Sequence, residues 1–148
     1  MIKRKGSAEW KGAGKNGKGT VATPSGALNN TPYSFNTRFE GGTSGTNPEE
    51  LLGAAHAGCF NMALSFILGE AGYTPDVLET TATLTMENIN GGFEITSVHL
   101  DLKGSVPGLD DAKFMQFATK AKENCPVSKL FKGAQITMDA QLEKQLHS

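Results

Sequence analysis

Leu51 to Leu68 are eighteen residues without one Asp, Glu, Lys or Arg, with Glu50 before them and Glu70 after. As a helix this stretch extends about 27 Å, close to the thickness of a bilayer core. It also contains Gly53, His56, Gly58, Asn61 and Ser65, and its alanines are small. It therefore reads as a helix buried in protein rather than a membrane span. Asn47 suits the N-cap and Pro48 the first helical position, and Glu50 completes a capping-box pattern. Glu49 and Glu50 favour the positive helix end, while Gly72 and Pro75 stop the helix. A helix apolar nearly all round needs cover on two sides, from sheets on both faces or from a partner subunit. The expectation is a homodimer.

The flanking segments read mostly as strands. Residues 1–45 are glycine-rich, and Thr20–Thr23 runs into the turn signal Pro24-Ser25-Gly26. Tyr33, Phe35, Thr37 and Phe39 alternate with Ser34, Asn36 and Arg38, which predicts a strand. After the helix, Leu78, Thr80, Ala82, Leu84 and Met86 share one parity, and Asn90-Gly91-Gly92 marks a hairpin. The return strand switches parity from Phe93 and Ile95 to Val98, Leu100 and Leu102, which predicts a β-bulge near Thr96-Ser97. A second helix is expected from about Asp110 to Asn124, with Phe114, Phe117, Ala118 and Ala121 on one face. Pro126 opens a short helical turn to about Phe131, and Ile136, Met138, Ala140 and Leu142 face inward from a last strand. The predicted class is α+β, one domain over residues 1–148, with antiparallel sheets around a long central helix.

Composition excludes several functions. A net charge of −1 over 148 residues argues against a polyanion binder. Six bases and one acid among the first 18 residues read as a solvated hairpin edge. A nucleic-acid arm is the competing reading, weakened by the presence of Trp10 alone among aromatics there. Two cysteines cannot make a disulfide-rich scaffold or a four-cysteine zinc site. The first residues have no apolar leader, so a cytoplasmic protein with free thiols or one redox pair is expected. Gly12-Ala13-Gly14 with Gly17 matches a dinucleotide pattern by letter, without the strand and helix that give it meaning.

Four residues carry potential chemistry. Cys59 lies mid-helix beside His56, Met62 and Phe66, and Cys125 stands where one helix ends and another turn begins. Both also fit as small buried hydrophobes, and 66 intervening positions prove nothing about pairing. Arg38, the only arginine besides Arg4, offers a permanent planar cation or a surface ion pair. Glu49 is a candidate too, though as an acid at the positive helix end it needs no further function. His56 reads as a packed helix residue, since no third catalytic group or further metal ligand accompanies it. His99 and His147 fall in a strand and a tail. No bound metal or cofactor is expected.

Taken together, four segments are similar to one family. Asn36-Thr37-Arg38-Phe39-Glu40-Gly41, Gly45-Thr46-Asn47-Pro48-Glu49-Glu50-Leu51, Ala54-Ala55-His56-Ala57-Gly58-Cys59-Phe60 and Cys125-Pro126-Val127-Ser128 resemble the family of osmotically inducible protein C (OsmC) and organic hydroperoxide resistance protein. The resemblance covers the whole chain and is closest to the OsmC branch, because the matching arginine is Arg38 rather than one in an earlier segment. It implies an intertwined homodimer and a cysteine-based peroxidase. Cys59 becomes the peroxidatic thiol, Cys125 the resolving thiol, and Arg38 and Glu49 their charged partners. It implies hydroperoxide substrates, often organic, and an external dithiol of the lipoyl type or a lipoylated protein as reductant.

The chemistry of the residues agrees with those roles. A peroxidase nucleophile must be a thiolate, an apolar helix opposes that, and a nearby guanidinium offsets it. If Glu49 and Cys59 share an unbroken helix, ten residues set them about 15 Å apart along it. Glu49 is then expected to serve the opposite chain's thiol, unless the helix breaks at Gly53 or Gly58. The alternative function is a non-catalytic binding protein for small apolar or oxidised lipids, which has no need of Cys125.

Overall fold

The computed structural model describes residues 1–143, so the tail holding His147 lies outside the described residues. The chain divides into two compact units, Met1–Leu51 and a second beginning at Leu52. The first unit is a three-stranded antiparallel sheet of β1 (Ser7–Lys11), β2 (Lys18–Ala22) and β3 (Thr31–Tyr33), in that order. Trp10 and Tyr33 pack their rings 5.3 Å apart across it.

The strand expected through Phe39 is instead a strand end followed by a helical turn, α1 (Phe35–Phe39). Alternation of side chains predicted extended backbone, but a local capping box overrides it. Ser34, extended at φ −158°, accepts the Thr37 N–H at 3.2 Å, and Thr37 Oγ1 accepts the Ser34 N–H at 2.8 Å. Two donors orphaned at a helix start are thereby satisfied.

Helix α2 (Pro48–Glu70) follows. Asn47 Oδ1 accepts the Glu50 N–H at 2.7 Å, as the sequence predicts for an N-cap. The Glu50 carboxylate accepts the Thr46 hydroxyl at 2.8 Å. At the far end Gly72 adopts φ +89°, a left-handed conformation that costs glycine little. Tyr73 N–H reaches Leu68 O at 2.9 Å and Gly72 N–H reaches Gly69 O at 3.1 Å, the paired bonds of a Schellman stop.

The second unit holds the rest of α2 and a three-stranded sheet. Strands β4 (Val77–Ile89) and β5 (Gly92–Ser105) form the predicted hairpin, with Asn90 and Gly91 at φ 54° and 84° as a two-residue primed turn requires. The predicted bulge is present: Thr85 pairs with Ser97 and Met86 with Ile95, which leaves Thr96 as the extra residue. Helices α3 (Asp111–Asn124) and α4 (Pro126–Leu130) then lead to β6 (Gln135–Leu142). Here the expectation of purely antiparallel sheets is corrected, because β6 runs parallel to β5. A connection that carries two helices returns the chain to the starting end of β5, the geometry of a crossover rather than a hairpin.

The core of this unit joins Phe60, Leu64 and Leu68 of α2, Val98, Leu100 and Leu102 of β5, and Phe114, Ala118 and Ala121 of α3. By length and a mean hydropathy of 1.6, α2 is apolar enough to cross a membrane. Gly53, His56, Phe60, Leu64 and Leu68 form one buried face, whereas Met62 and Phe66 stand 65% and 68% exposed. The helix is thus apolar all round, as expected, but covered on one side within the second unit.

Candidate active site

Each of the four predicted residues is found in a pair. The first pair belongs to the first unit. Arg38 closes the last turn of α1, and its Nε and Nη2 donate to Glu49 Oε1 and Oε2 at 2.9 and 3.2 Å. This fork-on-carboxylate geometry fixes the plane of the guanidinium. Asn47 contributes to the placement, since its Nδ2 donates to Thr37 O at 3.2 Å and ties the start of α2 to α1. The Arg38 guanidinium also lies 5.1 Å from the Phe39 ring centroid. It remains partly open to solvent, so the pair contributes at most about 1 kcal/mol to stability.

The second pair belongs to the second unit. Cys125 Sγ donates to Cys59 Sγ at 2.8 Å, and both are free thiols. Spacing alone could not have predicted this contact. Cys125 caps two helices at once: its N–H bonds Ala121 O at 2.9 Å, and its carbonyl accepts the Lys129 N–H at 3.1 Å. Pro126 forces the residue before it out of helical geometry, and Cys125 takes ψ 128°. That bend turns its thiol back toward α2. On the other side Asn61 anchors α2 to β4, donating to Leu78 O at 3.3 Å and accepting from Thr80 Oγ1 at 2.5 Å.

The surroundings of Cys59 favour its protonated form. Burial raises the Cys59 pKa, as do the hydrogen bond from Cys125 and the proximity of that second thiol. The Val127 backbone N–H, pointing at the sulfur from the first turn of α4, acts in the opposite direction but does not prevail. The sequence reading asked for a cation to offset this desolvation.

His56 is packed, as predicted, and fully buried. The partner that sequence reasoning missed is Ser128, whose Oγ lies 2.8 Å from His56 Nε2. No local signal could have shown a contact across 72 positions, although Ser128 lies in the Cys125-Pro126-Val127-Ser128 segment already singled out. The ring edge meets Phe131 at 5.2 Å and 82°, and Nδ1 has no hydrogen-bond partner. Burial lowers the His56 pKa, so the imidazole is neutral near pH 7.

His99 also gathers partners that the sequence did not reveal. Its Nδ1 lies 2.6 Å from Thr137 Oγ1, and its Nε2 lies 3.0 Å from Asp139 and 3.3 Å from Asp101. One imidazole and two carboxylates form a donor set of the kind that can hold a divalent cation. The set is open to solvent and distinct from the thiols.

Helix α2 runs unbroken through Gly53 and Gly58. The condition that would have brought Glu49 and Cys59 together by a break in that helix is therefore not met.

A model of the OsmC-like protein family matches residues 41–140. The chain belongs to the OsmC-like family. The match takes in Glu49, Cys59 and Cys125 and begins three residues after Arg38. Peroxiredoxin OsmC of Escherichia coli strain K12 is 55% identical over 142 residues, 96% of this chain and 98% of that protein. Organic hydroperoxide resistance protein OhrB of Bacillus subtilis strain 168 is 32% identical over 126 residues, 84% of this chain and 88% of that one. Among solved structures, an OsmC-like protein from Mycoplasma pneumoniae aligns with a TM-score of 0.77, covering 97% of this chain and 99% of its own. At 15% identity that likeness shows the OsmC-like fold alone.

Proposed function

We propose that the protein is a cysteine-based peroxidase that reduces hydroperoxides, organic ones and hydrogen peroxide. The observation that carries this reading is the contact at 2.8 Å between two thiols 66 positions apart. The names of its relatives, a peroxiredoxin and an organic hydroperoxide resistance protein, point to the same chemistry. Cys59, the more accessible thiol, attacks as thiolate. The O–O bond breaks, the proximal oxygen stays on sulfur as a sulfenic acid, and the other leaves as alkoxide and takes a proton to become an alcohol, or water from hydrogen peroxide. Cys125 then displaces that oxygen as water and forms the Cys59–Cys125 disulfide. An external dithiol of the lipoyl type, free or on a lipoylated protein, exchanges with the disulfide and leaves as a cyclic disulfide.

Arg38 supplies what the buried thiols lack. Its permanent charge favours thiolate and steadies charge moving onto the departing oxygen, while Glu49 orients it. In this reading the protein works as a homodimer in the cytoplasm, and the Arg38–Glu49 pair of one protomer serves Cys59 of its partner. Exposed Met62 and Phe66 suit both a subunit contact and an organic substrate tail. The alternative, a non-catalytic carrier of apolar or oxidised lipids, leaves the thiol pair without a use.

Consumption of cumene hydroperoxide and of hydrogen peroxide, measured with reduced lipoamide, tests the reading. Wild type should turn over, and Cys125→Ser should take up about one equivalent of peroxide and stop. Full turnover by Cys59→Ser overturns the enzyme reading.

A further inference from the structure

Two links, not one, connect α2 to the first turn of α4. His56 precedes Cys59 by three residues, and Ser128 follows Cys125 by three. The contacts Cys59–Cys125 and His56–Ser128, each 2.8 Å, therefore lie side by side as two rungs between the same two segments. In α2 three residues are close to one helical turn, so His56 and Cys59 face the same way, and Ser128 and Cys125 meet them in reverse order.

The second rung is buried and specific. The His56 ring is 0% exposed and Ser128 is 6% exposed. A leucine would fill the space without a polar atom to satisfy, yet the site holds an imidazole whose Nδ1 is orphaned. Leaving such a group unpaired is costly in a buried site. The Nε2–H tautomer, which donates to Ser128 Oγ, leaves only a lone pair unsatisfied rather than an N–H.

Helix α4 needs this outside support. It has five residues, too few to be stable alone, and Leu130 at its end is 76% exposed. The sulfur rung changes during a redox cycle, whereas the imidazole–hydroxyl rung need not. We propose that His56 and Ser128 are positioning residues for disulfide formation, holding the Cys125 turn against α2 while the two thiols are unlinked. A directional hydrogen bond sets the register of a short turn where apolar contact alone would let it rotate. The inference rests on Cys59 and Cys125 being the redox pair proposed above.

Glutathione disulfide tests it without any peroxide. Cys59 thiolate attacks the reagent, forms a mixed disulfide and releases one glutathione thiolate. Cys125 then attacks the Cys59 sulfur, releases the second glutathione and closes the protein disulfide. Mass spectrometry of acid-quenched samples gives both rates on the full-length protein. Ser128→Ala should leave the first step within about twofold and slow closure about tenfold, because the effective concentration of Cys125 at Cys59 falls. Ser128→Thr, which keeps the hydroxyl, should restore closure. Wild-type closure by Ser128→Ala overturns the proposal, as does equal slowing of both steps, which marks a general structural defect. If wild type closes its disulfide with glutathione yet consumes no hydroperoxide, the peroxidase reading fails and the positioning inference stands.

Discussion

The Arg38–Glu49 pair and the Cys59–Cys125 pair are opposites in almost every physical respect. The first joins residues 11 positions apart through two charge-assisted hydrogen bonds, with the guanidinium partly open to solvent. The second joins residues 66 apart through one thiol contact, with Cys125 fully buried. One is charged, pre-oriented and has no nucleophile. The other holds the nucleophile, and burial pushes its Cys59 thiol toward the protonated state. Each has what the other lacks. A peroxidase needs both properties at one place, which the proposed pairing of protomers would supply.

The largest effect should come from the thiol side. Cys59→Ser should lower steady-state hydroperoxide consumption by about a thousandfold or more, since it removes the nucleophile itself. Retention of even a tenth of wild-type turnover would break the comparison. Arg38→Ala should cost about a hundredfold, the scale for losing one charged stabiliser of a developing oxyanion. It should also move the pH profile of Cys59 alkylation to higher pH, because a raised thiol pKa then goes uncorrected. An unchanged profile means that the charge never reaches the thiol.

Mixing the two inactive proteins sharpens the point. With shared sites, a dimer of one Cys59→Ser and one Arg38→Ala protomer holds one intact site. Random exchange should recover about a quarter of wild-type activity. Sites built within one chain predict no recovery. The smallest effect concerns His56. Its folded pKa lies below the usual 6.5, so the stability it contributes is full above that value and is lost as pH falls through the lowered one. Urea unfolding at pH 7.5 and 5.5 should show a drop in stability for wild type and a smaller one for His56→Gln.

The sequence disclosed short-range features well. Asn47, Asn90-Gly91 and the parity switch at Thr96 each express a local backbone requirement, and each is where the pattern placed it. Two errors have local and non-local causes. Residues 35–39 look like a strand by alternation, but Ser34 and Thr37 cap a helical turn, and two hydrogen bonds outweigh a pattern five residues long. The parallel seat of β6 depends on where α3 and α4 carry the chain, which no residue of β6 encodes. The candidate site divides the same way. Glu49 was legible as a helix-start acid and Arg38 as an unusual cation, whereas the Ser128 partner of His56 arises only when the crossover folds back on α2.

That crossover also fixes a timetable. Cys125 lies between β5 and β6, so its approach to Cys59 is secured at the far end only once the last strand has added to the sheet. On the ribosome Cys59 emerges 66 residues before Cys125. Contacts this distant in sequence close late in folding. In the proposed cycle, a Cys59 sulfenic acid formed on a half-made chain would have no Cys125 to condense with, and oxidation beyond it is not reversed by thiol exchange. Under that cycle, newly synthesised molecules would be the ones most exposed to over-oxidation.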